Sequence, residues 1–354
     1  MAIDWTRGYA ATWRLYEVNR DTWADGARVG GVTSASVERN DDGDAPEMES
    51  SSVSVDQGVG DDFTERILRL VMVAEQDGAL ERVDVCTQWY VSTSGSTAMG
   101  NHSRSLTGRS VLHTAATATT SLVYGPYVPA GADGAAEVAR MLTAAGVNQV
   151  TAVGSFTMDE PYVFERSENV LTSAWAILKA GGFRICVDGR GRVEVRPEAA
   201  SGDAPALNLS YDLVRLVMPV IDDELDMSEV HNRYVAEEGE STAVAVNDDP
   251  TSPTSVTKRG YYHDLYDTSV VRVNGESLEA YAQRKLAEDS VVPDARQWRR
   301  EWWPDVYPGD IIKASMPRQG VQGEFWCRRQ SLECGAGIVV TERAERRIVT
   351  WPTS

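Results

Sequence analysis

Asn40-Asp41-Asp42-Gly43-Asp44 sets oxygen-bearing side chains at the close spacing a calcium loop uses. An EF-hand loop alternates its ligands, needs glycine at the sixth position and closes on a glutamate at the twelfth. Here the glycine comes too early and Pro46 follows, so Asn40–Glu49 reads as a solvated acidic loop. Gly189-Arg190-Gly191 and Gly335-Ala336-Gly337 look like phosphate loops, but neither runs on into a helix whose N-terminus could hold a phosphate. Both read as turns. His102, His113, His231 and His263 are far apart and lack H-E-x-x-H or any paired spacing; a lone strand histidine such as His231 is expected to be structural. Cys86, Cys186, Cys327 and Cys334 form no C-x-x-C pair, which leaves a zinc ribbon unsupported. Cys186, mid-strand, is expected to be buried and reduced. Cys327 and Cys334 could lie on facing strands, which leaves both a disulfide and free thiols open. No G-x-S-x-G elbow occurs. Carboxylates are numerous, but none is marked by the apolar context that would raise its pKa for a glycosidase pair. No catalytic, cofactor-binding or metal-binding residue is assigned, and the chain is expected not to be an enzyme.

The tryptophans allow a different chemistry. Trp298, Trp302, Trp303, Trp326 and Trp351 crowd the last third of the chain. Exposed indoles stack on sugars and are enriched at protein interfaces. Trp326 alternates within a strand and is expected in a core. Trp302 and Trp303 are adjacent, so in an extended chain they cannot face the same core, and one of them is an interface candidate.

Length and charge bound the rest. The 354 residues allow two to four domains. With 42% hydrophobic and 25% charged residues the chain is expected to be globular. A net charge of −19 lacks the Lys/Arg surplus of a stable nucleic-acid clamp. An acidic wall would let DNA pass without sticking, and an acidic surface equally serves solubility. The N-terminus, MAIDWTRGYAATW, has no signal-peptide h-region, and no apolar run reaches membrane-spanning length.

The elements that carry these residues fall into three regions. Residues 1–125 alternate apolar and polar positions over six or so short strands, as in Ser50–Asp56, with an Asp77-Gly78 hairpin turn. They predict a small barrel or sandwich. Residues 126–220 predict a helix capped by Asp133 and stopped by Gly146. A second helix follows, started by Ser167 or Asn169 and ended by Gly181-Gly182, then a hairpin with Phe183, Ile185 and Val187 on one strand, an Asp188-Gly189 turn, and Val193 and Val195 on the other. Residues 221–354 return to β: a strand at Val230–Ala236, a polar loop at Asn247–Thr254, a short strand at Ser269–Val273, a helix at Ser277–Glu288, and closing strands after the Pro308-Gly309-Asp310 turn. The fold class expected is α+β, mainly β: two small β-barrel-like domains with inserted α+β modules. The first spans 1–125, the module 126–220, and the second 221–354 with a helical insertion at about 275–299.

Four passages in this order resemble the tail hub, or baseplate hub, proteins of long-tailed bacteriophages and related contractile injection particles. They are Ile67–Val91 followed by Ser105-Leu106-Thr107-Gly108; the helix with Ala180-Gly181-Gly182-Phe183 and Asp188-Gly189; Val230–Val235 (VHNRYV); and the Leu278–Leu286 helix followed by Asp305–Asp310. The resemblance implies a homotrimer whose paired barrel domains form a pseudo-six-fold ring, joining the hexameric tail tube to a three-fold tip and lining the DNA channel. It implies a distal tail ring protein, a tape-measure protein and a tip or central fibre protein as partners. DNA would be met only in passage, and the location would be the virion tail, assembled in the host cytoplasm. The sequence ends soon after the last expected strands, so no appended hydrolase is expected and that activity is not carried over. A sugar-binding tail-tip module and a cell-wall hydrolase are the alternative readings.

Overall fold

The computed structural model describes residues 3–41, 47–56, 63, 65–98, 101–210, 216–225 and 227–349. Among them, 13 strands form one sheet. Its order is Leu216–Leu225, Val291–Glu301, Ile338–Val349, Val321–Cys334, Gly31–Asn40, Glu49–Asp56, Asn101–Ser110, Ala79–Ala98, Arg66–Gln76, Ala10–Val18 and Asp25–Val29. Ile311–Met316 branches off Val321–Cys334 and pairs in parallel with Leu207–Ser210. The strand alternation predicted at Ser50–Asp56 is present: Glu49, Ser51, Val53 and Val55 are buried. The Asp77-Gly78 turn closes its hairpin on a Gln76↔Ala79 pair, with both turn residues at positive φ.

The two ends of the chain meet in the middle of this sheet. Val321–Cys334 pairs with Gly31–Asn40, from Arg329↔Asn40 to Cys334↔Ala35. The core reflects the same closure. Trp302, Leu332, Ile338 and Val340 pack with Leu15, Val53, Leu70, Tyr90 and Leu106. A second core joins Trp298, Phe325, Ile312, Met316 and Leu209.

Two smaller units hang on the sheet. In the first, helices Gly134–Ala144 and Val170–Gly181 cover one face of Phe183–Val187, Val193–Pro197 and Val150–Ala152. Asp133 Oδ1 caps the first helix, and Asn169 Oδ1 accepts from the Thr172 amide at 2.8 Å to cap the second. Gly182 ends that helix in the left-handed conformation, φ 69°. In the second unit, helix Leu278–Asp289, capped by Ser277, packs on Arg233–Glu238, Ser241–Val246 and Asp264–Asp267. The mainly β, α+β class is therefore present.

Asn232 holds the second unit together. It is fully buried, donates to the Thr254 and Tyr261 carbonyls at 3.2 and 3.1 Å, and accepts from the His263 amide at 2.8 Å. These bonds tie down the Asn247–Thr254 loop, whose Asn247, Ser252 and Thr254 are also buried. Asn232→Ala removes three hydrogen bonds, one of them to the buried Thr254 carbonyl; at about 1–3 kcal/mol for an unmet buried group, local opening of residues 230–263 should rise sharply in amide hydrogen exchange. Unchanged protection there would refute this role.

Several expectations fail for physical reasons. Cys327 and Cys334 do not face each other: they lie on one strand, and the sulfurs of all four cysteines are free. Seven residues along a strand separate them by roughly 23 Å at about 3.3 Å per residue. Ser269–Val273 is not a strand. Asp267 accepts from Tyr234 and Tyr281 hydroxyls, both at 2.6 Å, and from the Ser269 amide at 2.8 Å, which turns the chain there; the strand is Asp264–Asp267 instead. The Val230–Ala236 strand starts later, at Arg233, because Asn232 is occupied by the loop.

Candidate functional site

The Asp188-Gly189 turn and the Pro308-Gly309-Asp310 turn, far apart in sequence, meet at one joint. The hairpin closes with a five-residue loop between Val187 and Val193, longer than a two-residue turn. The extra length lets the loop reach the main sheet. The Gly189 carbonyl accepts from Thr87 Oγ1 at 2.9 Å, and the Arg190 carbonyl accepts from Trp23 Nε1 at 2.7 Å and Arg69 Nη2 at 3.2 Å. The Gly189 amide donates to the Tyr307 hydroxyl at 3.2 Å. A side chain at Gly189 would overlap the Asp84 carbonyl, and one at Gly309, which also has φ 85°, would overlap the Arg184 guanidinium. Both glycines are required by close approach.

Charge fixes the joint. Arg184 donates to the Pro308 carbonyl at 2.7 Å and to Asp310 Oδ1 at 2.8 Å; Arg196 donates to the same oxygen at 2.8 Å. Arg184 is 3% exposed, so its desolvation is met only because these acceptors are in place. Asp41 pairs with Arg328 at 3.1 Å. Burial pushes the Asp41 carboxyl above its usual range despite Arg184 and Arg328 beside it. Burial opposes the charge on Asp84 too, but Arg190 and Arg82 outweigh it and hold that carboxyl low. Arg39 bonds Glu49 at 3.0 Å, with its guanidinium 4.7 Å from the Tyr307 ring centre. Three left-handed non-glycine residues, Trp23 (φ 58°), Met48 (φ 62°) and Gln149 (φ 55°), stand around the same joint. Backbone strain of this kind persists only where the surroundings over-determine it.

This arrangement positions; it offers no poised nucleophile. The GRG loop points carbonyl oxygens, not a nest of amides, at its neighbours, which would repel a phosphate. Gly335-Ala336-Gly337 likewise gives its carbonyls to Trp13 Nε1 at 2.7 Å and the Ala11 amide at 3.2 Å. Burial pushes the Cys86, Cys186 and Cys327 thiols up, and Cys334 to about 12. His231 and His263, unpaired in sequence, stack at 4.2 Å, and His231 Nδ1 lies 2.7 Å from Asp289. Among the described residues no three His, Cys, Asp or Glu are grouped to hold a metal. Asp42, Gly43, Asp44 and Pro46 of the acidic loop, and Trp351, lie outside the described residues.

Trp326 is in a core, as expected, and the other described tryptophans of this region are mostly buried. Trp298 and Trp302 are each 1% exposed and Trp326 is 8% exposed. Trp302 and Trp303 do face different ways, but each finds a core: Trp302 the first, Trp303 the second. Trp302 is buried, whereas Trp303 is half-buried and keeps part of its ring exposed.

Arg39, Glu49, Arg69, Arg184, Arg300 and Glu342 were not singled out by motif. The available signal was a charge interrupting an apolar strand, as in Ile67-Leu68-Arg69-Leu70-Val71 or Phe183-Arg184-Ile185.

No protein-family model matches the chain. No curated protein matches it either. Solved structures do match. The tail protein from Neisseria meningitidis MC58 superposes with a TM-score of 0.68 at 14% identity, covering 98% of this chain and 98% of that one. The 43 kDa tail protein of prophage MuSo2 from Shewanella oneidensis gives 0.64 at 11% identity, covering 95% and 98%. An E. coli component of the type VI secretion system, described as structurally similar to T4 bacteriophage tail proteins gp27 and gp5, gives 0.50 at 9% identity, covering 97% of this chain and 77% of that one. The chain shares the fold of these two tail proteins and of the secretion-system component.

Proposed function

We propose that the chain is a structural virion protein, the trimeric hub at the distal end of a phage tail, and not an enzyme. The observation that carries this reading is the shared fold, which runs over nearly the whole length of two tail proteins, one of them from a prophage. The joint agrees with it, because its buried charges are spent on holding modules in place. In this reading residues 1–125 and 221–354 are the two barrel-like domains and 126–220 holds the bracing module, though its strand Leu207–Ser210 joins the main sheet; of the helical insertion expected at about 275–299, Leu278–Asp289 is the helix and Val291–Glu301 is a strand of the main sheet. The ladder between Val321–Cys334 and Gly31–Asn40 couples the two domains rigidly. Three copies give six domains around a channel, matching a hexameric tube above and a three-fold tip below. The partners are a distal tail ring protein, a tape-measure protein and a tip or central fibre protein. DNA passes through the channel without being held, and the net charge of −19 repels it over the roughly 8–10 Å that salt permits. The protein is assembled in the host cytoplasm and resides in the virion.

The sugar-binding reading is narrowed to half-buried Trp303 and to Trp351, since Trp298, Trp302 and Trp326 are buried. Gold-labelled antibody against this chain should mark one end of intact tails in electron micrographs, the end away from the capsid. Label along the whole tail, or only on empty host membranes, would refute the assignment.

A further inference from the structure

Four adjacent strands in the middle of the main sheet, Gly31–Asn40, Glu49–Asp56, Asn101–Ser110 and Ala79–Ala98, carry one kind of side chain on one face. Residues directly opposite on paired strands stand on the same face, and successive residues along a strand alternate faces. The pairing therefore sets two rows. One runs Ser34, Ser54, Ser105, Ser94, and the next runs Ser36, Ser52, Thr107, Ser92. Ser34, Ser36, Ser52, Ser92, Ser94 and Thr107 are exposed, and Ser54 and Ser105 are half-buried. Between the rows, Ala35, Val53 and Leu106 are buried in the core on the other face. The face presents hydroxyl groups alone over three strand spacings, roughly 14 Å. Charges begin at its borders. Glu333 pairs beside Ser36, Glu38 and Arg109 occupy the row past Ser36 and Thr107, and Asp56 lies past Ser54.

A sheet face kept only for solubility carries charges of both signs. This chain is 25% charged, yet none of those residues falls in the two rows. A protein interface is built on aromatic or apolar anchors and complementary charge, and short hydroxyls supply neither. A nucleic-acid clamp sets Lys and Arg on phosphates and gains affinity by releasing counterions; no position in the rows is cationic. A hydroxyl face instead suits a polyanion in motion. It exchanges hydrogen bonds with phosphate oxygens as with water, and it holds no fixed charge to arrest the strand. On the hub reading above, we propose that this hydroxyl face is the wall of the channel past which DNA slides. The net charge of −19 then acts on DNA from a distance, while the surface met at contact is neutral.

The test uses intact particles whose tails carry Ser52→Lys/Ser92→Lys or Ser52→Glu/Ser92→Glu in this chain. Both positions are exposed and one strand lies between them, so neither pair disturbs the core or sets like charges directly opposite. DNA exit is followed with an intercalating dye after ejection is triggered. The lysine pair should slow exit about threefold or more at low salt, with the parent rate regained as salt screens the phosphates. The glutamate pair should eject at the parent rate. Lysine particles that carry the chain at the tail end and eject at the parent rate in low salt would overturn the proposal and leave the hub reading standing. A lysine variant that folds but is left out of the tail would place the face in a subunit contact, and that also overturns it. Gold-labelled antibody finding the unaltered chain away from the tail end would instead refute the hub reading itself.

Discussion

Gly189→Ala should unseat the module hairpin. The added methyl group overlaps the Asp84 carbonyl, which is backbone in the middle of the main sheet and cannot swing aside. Relief requires moving residues 188–192 outward. That movement breaks the bonds from Thr87, Trp23 and Arg69 to the loop carbonyls and the bond from the Gly189 amide to Tyr307. The expected loss is at least about 3 kcal/mol, beyond ordinary overpacking because several buried groups lose partners together. The chain holds several cores, so a single unfolding midpoint does not isolate the effect. Hydrogen exchange over 183–197 is the sharper readout, and protection there should collapse before the main sheet opens. Gly335→Ala, which meets open space, is the control and should lie within about 0.5 kcal/mol of the parent. Equal protection in Gly189→Ala and the parent would contradict the joint as described.

Arg300→Met should be the most damaging change in the closing strands. Arg300 and Glu342 are both fully buried and bonded twice, at 2.7 and 2.8 Å. Trp298 Nε1 and Gln330 Nε2 donate to the same carboxylate at 2.7 and 2.8 Å. Removing one partner of a buried pair costs about 3–5 kcal/mol because the other charge is left unpaired. The Arg300→Met/Glu342→Leu double variant should recover much of that loss, since no charge remains to be desolvated. A double variant as unstable as the single would show that the cavity, not the charge, sets the cost. The pair also fixes an acid response. Burial disfavours the Glu342 charge, but Arg300, Gln330 and Trp298 outweigh it, and the carboxyl sits below its ordinary 4.5. Its folded pKa is lower than its unfolded one, so its contribution is present above about pH 4.5 and is lost as pH falls through the folded value. Glu342→Gln should flatten the acid limb of stability measured by denaturant titration, and an unchanged slope would refute the assignment.

Much of the scaffold was legible in the residues, for stated reasons. Asp133, Asn169 and Ser277 cap helices because each is a short polar side chain just ahead of an apolar period. Asp77-Gly78 reads as a hairpin because both positions need positive φ. The joint was only half legible. Asp188-Gly189 and Pro308-Gly309-Asp310 stood out as turns, but nothing local says that one seats against the other. That contact joins positions more than 100 residues apart, as in the Gly189 amide to Tyr307 bond, where |i−j| is 118. The Trp302-Trp303 pair shows the same limit. Adjacent indoles facing opposite ways imply full exposure of one when one core is assumed; the second core half-buries Trp303. His231 and His263 likewise stack only because the Asn232 knot folds the intervening loop back.

The central claim is a hub that works as three copies. Light scattering coupled to gel filtration, on the chain alone and mixed with the ring protein of its own tail, tests it most directly. The account predicts three copies per particle, formed either by the chain alone or upon the ring. A chain that stays monomeric in both samples would contradict it.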